Sequence, residues 1–274
     1  MAFGGCDLSH LLREHAPITE AGWKLLDDEA RERLTPALAA RKLVDFSGPH
    51  GWEYSATNLG RVEEVADPPG EGIAASQRRV LGLVELRAHF AVSRAQLDDA
   101  ERGAADVDLE TLDSAARRIA MAENAAVFHG LKAAGIQGIA EASTHDQINL
   151  GEDCEVYPRH VAKSVDALRD TGIDGPYGLA LSPEGHTHVL ETAEHGGYPL
   201  MQHLQEILGG PIVWAPGVNG GVVVSLRGDD FLFESGEDLS IGYENHDADS
   251  VQLYLEESFS FRVATPEAAV PLPA

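Results

Sequence analysis

The chain is poor in cysteine, in basic residues and in long apolar runs, and each shortage removes a class of protein. Cys6 and Cys154 are the only cysteines in 274 residues. Two distant thiols provide neither a disulfide framework nor a zinc cluster, so both are expected free in a reducing compartment. Lys and Arg total 20 against 45 Asp and Glu, a formal net charge of −25. That balance argues against nucleic acid, whose phosphates are neutralised by cations, and against anionic membrane surfaces. Its simplest effect is solubility. No apolar run approaches the ~18 residues that cross a bilayer. The first eight residues have neither a basic nor an apolar signal region, so the expected location is the cytoplasm. Hydrophobic residues nonetheless make up 43% of the chain, enough for a sizeable core in one or two domains of roughly 150 residues.

Assembled catalytic motifs are missing as well. Twelve histidines are present, but no His-Glu-x-x-His or Cys-x-x-Cys spacing accompanies them. His186 and His188 share a face only on extended backbone, and their region reads as helical. Gly217-Val218-Asn219-Gly220-Gly221 lacks the Lys-Ser/Thr of a phosphate-binding loop and reads as a hairpin turn. Ser182 precedes Pro183 instead of occupying a Gly-x-Ser-x-Gly elbow. The carboxylate pairs Asp98–Asp99 and Glu256–Glu257 are expected to point apart into solvent. The reading is a non-enzyme with no metal and no cofactor.

What the chain does contain is strong local patterning. Thr19 is a good N-cap, and Trp23, Leu26, Ala30, Leu34 and Leu38 then recur on one helical face, with Pro36 closing the last turn. Trp52–Val65 and Arg79–Val92 are strand-like and flank the turn Asp67-Pro68-Pro69-Gly70-Glu71-Gly72, predicting a long hairpin arm. A lone two-stranded ribbon is marginal in water, so the arm needs contacts beyond itself. Ser93 and Gln96 form a capping-box pattern for a short helix ending at Gly103. Asp108 opens a longer helix with Leu112, Ala115, Ile119, Ala122, Ala126 and Leu131 in register and Gly135 after it. A further helix over 159–171 stops at Gly172. Short buried strands are predicted at Tyr177–Ser182, Ile212–Ala215 and Val222–Leu226, with helices near Pro183–Glu194 and Pro199–Leu208. The long run Ser250–Ala264 alternates like a strand. Helices and strands mix without regular βαβ alternation, an α+β pattern.

Six short blocks recur in order along the chain. They are Ala16-Pro17-Ile18-Thr19 leading to Trp23, Gly48-Pro49-His50-Gly51-Trp52-Glu53-Tyr54, and Gln96-Leu97-Asp98-Asp99-Ala100-Glu101-Arg102-Gly103. Gly172-Ile173-Asp174-Gly175-Pro176-Tyr177, the block from Gly236 to Tyr243 with Leu239-Ser240-Ile241-Gly242, and Val251–Phe261 complete the set. Together they resemble the encapsulins, shell proteins of hollow compartments, from about Leu11 to Val270. The resemblance implies the Hong Kong 97-like phage major capsid fold. Its parts would be an N-terminal segment and helix at 1–45, an extended β-hairpin loop at 46–92 and a peripheral domain with a spine helix at 93–175. An axial domain at 176–225 and a return to the peripheral domain at 226–274 would follow.

The resemblance also implies function. Copies of the chain, about 60 in the smallest icosahedron, would close into a shell with point-group symmetry. A cargo enzyme, a dye-decolorising peroxidase or a ferritin-like protein, would be enclosed through a peptide at its own C-terminus. The peptide groove carried over by position comprises Leu34, Leu38, Arg41, Asp45, Leu239 and Ile241. Glu194, His195, Gly196 and Gly197 correspond to the loop around the five-fold pore. Some relatives bind flavin through a tryptophan, whose place is taken here by Ala95, which has no ring to stack. The competing expectation is a soluble oligomeric hydrolase or protease, or a bacteriocin-like protein.

Overall fold

The computed structural model describes residues 9–151, 153–193 and 197–274, so Cys6 lies outside it. The elements run α1 (Glu20–Ala37), β1 (Asp45–Ser47), β2 (Ala56–Glu64), β3 (Ser76–Gly82), β4 (Val84–Ser93), α2 (Arg94–Glu101) and α3 (Glu110–His129). They continue with α4 (Ile139–Ala142), α5 (Tyr157–Asp170), β5 (Tyr177–Leu181), α6 (Pro183–Glu191), α7 (Leu200–Leu208), β6 (Ile212–Trp214) and β7 (Gly221–Ser225). β8 (Phe231–Ser235), β9 (Ser240–His246), β10 (Ser250–Val263) and β11 (Ala269–Leu272) complete the chain.

α1 forms where its cap and stripe predict. The Thr19 side chain accepts the Gly22 N–H, and the helix ends one residue after Pro36. Leu26, Ala30 and Leu34 are fully buried against α3 and one face of a five-stranded sheet. Each large side chain so buried contributes ~1.5–3 kcal/mol. α2 starts at Ser93, but the Ser93 side chain makes no capping bond. Gln96 instead accepts the Asp108 N–H, tying α2 to the start of α3. Asp108 sits just ahead of the α3 N-cap and accepts the Glu110 N–H. α3 ends at His129, because Gly130 takes a φ of +93°. It therefore stops before Leu131 and Gly135, and Ala122 faces outward.

The five-stranded sheet is ordered β1-β8-β10-β4, with β9 also paired to β10. β10 is its axis. One edge pairs along β4, and the other pairs first with β9 and then with β8. Packed on both faces, β10 is buried from Leu253 to Phe261 and does not show one-sided alternation. Glu256 and Glu257 do point to opposite faces, but both are buried, at 0% and 1% exposure. The pair read as solvated is the most deeply buried pair of carboxylates in this sheet.

The run Arg79–Val92 divides at Leu83. Its first part pairs with β2 as the hairpin arm, and its second part, β4, belongs to the five-stranded sheet. A second sheet, β11-β7-β5-β6, packs with α5, α6 and α7 around a second core. β6 runs parallel to β5 on one side and β7 antiparallel on the other. The Gly217–Gly221 segment therefore crosses over β5 and is not a hairpin turn. Gly217, at φ +87°, lies so close to α3 that a Cβ would collide with the Met121 carbonyl. α3 spans both cores, with Leu112–Ala120 in the first and Ala126–Phe128 in the second.

Candidate functional site

Between the end of α1 and β1, Arg41 gathers three carboxylates from three distant elements. Nε meets Glu123 of α3 at 2.6 Å, Nη1 meets Asp238 before β9 at 2.6 Å, and Nη2 meets Glu257 of β10 at 2.8 Å. The rings of Phe46 and Phe233 cover the guanidinium at 5.0 and 5.5 Å. Burial opposes its charge, but the three carboxylates outweigh burial and hold its pKa above the ordinary value. Glu257 responds in the opposite sense to an ordinary paired acid. Burial, reinforced by neighbouring Glu123, pushes its carboxyl well up against the pull of Arg41.

A cleft of about 290 Å³ opens above this cluster, lined by Thr35, Leu38, Arg41, Lys42, Phe46 and Asp238. Leu38 is its buried apolar wall and Phe46, 37% exposed, its apolar rim. Of the six groove residues carried over by position, only Leu38 and Arg41 line it. Leu34, Leu239 and Ile241 lie in the core beneath α1, and Asp45 is an exposed residue of β1 outside the lining. Thr35, Lys42, Phe46 and Asp238, which also line the cleft, were not among the expected groove residues. Asp238 and Phe46 adjoin chosen positions in sequence, so the local signal was present, while Glu123 and Glu257 gave none because their partner is far away in the chain.

Of the four residues expected around a pore, Glu194, His195 and Gly196 lie outside the described residues. Gly197 is exposed at φ +81°. The neck beside them is closed by a bridge between Ala193 and Pro199 and by Leu200 N–H donating to Thr192 at 3.1 Å. Ala95 is exposed on α2. His186 and His188 lie on helical α6, and among the described residues no group of three or more His, Cys, Asp or Glu is arranged to hold a metal ion. The arm carries apolar groups with nothing over them: Val62 is 68% exposed, Val80 55% and Ile73 56%.

A family model described as "Encapsulating protein for peroxidase" matches residues 8–260. The chain belongs to the encapsulin family. A type 1 encapsulin shell protein of Rhodospirillum rubrum is 46% identical over 270 residues, covering 97% of this chain and 96% of that one. Its counterpart in Brevibacterium linens is 42% identical over 266 residues, covering 97% and 99%. The fold is similar to that of the virus-like particle from Pyrococcus furiosus, with a TM-score of 0.62 at 17% identity over 91% of this chain and 98% of that one. Mycobacterium phage Ogopogo gives 0.55 at 14% identity over 86% and 91%. The α+β architecture is thus the Hong Kong 97-type capsid fold. The encapsulin subunit assembles with copies of itself into a capsid-like shell, a structural role and not a catalytic one. Among the described residues no helix is long and apolar enough to cross a membrane.

Proposed function

We propose that this encapsulin shell, about 60 copies in the smallest closed icosahedron, works in the cytoplasm and encloses a redox enzyme. The enzyme docks by a short C-terminal peptide in the cleft beside Arg41. The observation that carries the reading is the cleft itself, an apolar wall and rim (Leu38, Phe46) beside the fixed polar groups Arg41 and Asp238. Apolar pockets with a few polar anchors suit a peptide in a groove. The family description names a peroxidase as what is encapsulated. A Kuenenia stuttgartiensis relative, 21% identical over 205 residues, is a fusion of an encapsulin shell with a diheme cytochrome. A peroxidase is the first cargo on this reading and a ferritin-like protein the second.

In this arrangement the five-stranded sheet with α1 and α3 serves as the peripheral domain, which takes α1, β1 and β4 in addition to the expected 93–175 and 226–274. The four-stranded sheet serves as the axial domain, 176–225 joined by β11, and the β2–β3 hairpin within 46–92 is the extended arm. Glu194, His195, Gly196 and Gly197, matched by position to the family's pore loop, would ring the pore.

The test is co-expression with a dye-decolorising peroxidase carrying its own C-terminal peptide, followed by haem absorbance in purified particles. Loading is expected with the intact peroxidase, and its loss is expected after removal of the peptide or in Phe46→Asp shells of normal diameter. Undiminished haem in Phe46→Asp particles places the docking surface elsewhere.

A further inference from the structure

We propose that one proton, held between Glu257 of β10 and Glu123 of α3 beneath Arg41, latches segment 38–47 onto the sheet, and that raising the pH opens this latch. Arg41 engages one oxygen of each carboxylate, Glu123 Oε2, Asp238 Oδ1 and Glu257 Oε2. The remaining oxygens, Glu123 Oε1 and Glu257 Oε1, are buried and have no hydrogen-bond partner. The two side chains are within hydrogen-bonding reach of each other. Ionised carboxylates only accept, so neither can satisfy the other until one holds a proton and donates it. Without the proton, three negative charges face one guanidinium in the interior, an arrangement that desolvation makes costly.

Asp238 also accepts the Leu239 N–H at 2.8 Å, and the other described neighbours are apolar or engaged elsewhere. β4 presents apolar Leu86 opposite Glu257. Phe46 and Phe233 cover the guanidinium. Glu237, beside Asp238, is bonded to Ser240. Glu256 turns to the other face with Arg87 and His10. The ammonium of Lys42 is donated to the Pro36 carbonyl.

The sign follows from the raised carboxyl of Glu257. The folded chain binds the proton more tightly than the unfolded chain, so stability is greatest on the acid side and declines as pH rises through the folded value. α3 and β10 are long elements of the cores, whereas segment 38–47 holds a short turn and the three-residue β1, anchored by Leu38, Ala39, Ala40 and Leu43 and by the Ala40 N–H bond to Asn124. That segment is the part that yields, taking Leu38 and Phe46 with it.

The test uses assembled particles from pH 6 to 10. Hydrogen exchange corrected for its intrinsic pH dependence reads the latch, and light scattering reads assembly separately. Segment 38–47 is expected to lose protection by about tenfold before β5 and β7 do. Glu257→Gln and Glu123→Gln each supply a permanent donor, so each is expected to move the midpoint up by about one pH unit or more. Protection that stays flat until the whole subunit opens overturns the proposal, as do Gln variants with the wild-type midpoint. Should both variants fail to assemble, infrared spectroscopy of wild-type particles decides. A carboxylic-acid band present at pH 7 and lost in step with protection sustains the latch, and its absence at pH 7 overturns it.

Discussion

Truncating Asn124 tests how the subunit is joined. This fully buried α3 side chain accepts the Ala40 N–H at 3.0 Å and donates to the carbonyls of Ala37 and Pro216, both at 2.9 Å. It therefore ties the end of α1, α3 and the crossover before β7. In Asn124→Ala the Ala37 carbonyl keeps a second donor, Ala39 N–H, so two groups, Ala40 N–H and Pro216 C=O, lose this partner in the interior. Each of the two buried orphans costs ~1–3 kcal/mol, and the vacated volume adds to the loss, giving about 3–7 kcal/mol. At this chain length that corresponds to a fall of roughly 6–28 °C in Tm. The assay is tryptophan fluorescence of assembled particles at one fixed scan rate, since unfolding of such particles is scan-rate dependent. Asn124→Asp keeps the acceptor and turns the donors into a charge facing two carbonyls, so it should be worse at pH 8 than at pH 5. A Tm within about 2 °C of wild type, or an Asp variant equally stable at both pH values, would refute the joint.

Three further outcomes are expected. Gly217→Ala should lower assembly yield and Tm, because a Cβ meets the Met121 carbonyl at a backbone angle that L residues rarely adopt; normal particles at normal yield would contradict it. Val62→Asp combined with Val80→Asp should leave soluble, folded subunits that sediment below the particle, since these arm residues are exposed within one subunit; intact shells would show that the arm apolar face bears no load. Arg87→Met removes the cation paired with Glu256. Burial already raises that carboxyl, so the variant's Tm should decline more steeply than wild type as pH rises from 5 to 8, and parallel Tm curves would exclude the pairing.

Local chemistry was legible and distant pairing was not. Thr19 and Gly172 mark helix ends that need only neighbouring residues, and α1, α5, α6 and α7 appear where periodicity put them. Gln96 misled because a bond to Asp108, 12 residues on, replaces the capping-box bond. The Gly217–Gly221 turn misled because its flanking strands are separated by β5, which no local pattern encodes. Glu257 read as solvated because its partner Arg41 is 216 residues away. The cleft beside Arg41 was legible only in part for the same reason. Of the six expected groove residues Leu38 and Arg41 line it, while Leu34, Leu239 and Ile241 are core.

The position of β10 at the centre of its sheet also sets a schedule for synthesis. Arg87 on β4 and Glu256 on β10 are 169 residues apart. At about 5–20 residues per second, roughly 8–34 s pass between their emergence from the ribosome. Throughout that interval β4 lacks the strand it pairs with, and the cradle for Arg41 is incomplete. A nascent chain therefore offers no finished surface for a neighbour to recognise. Assembly waits for the last third of the polypeptide.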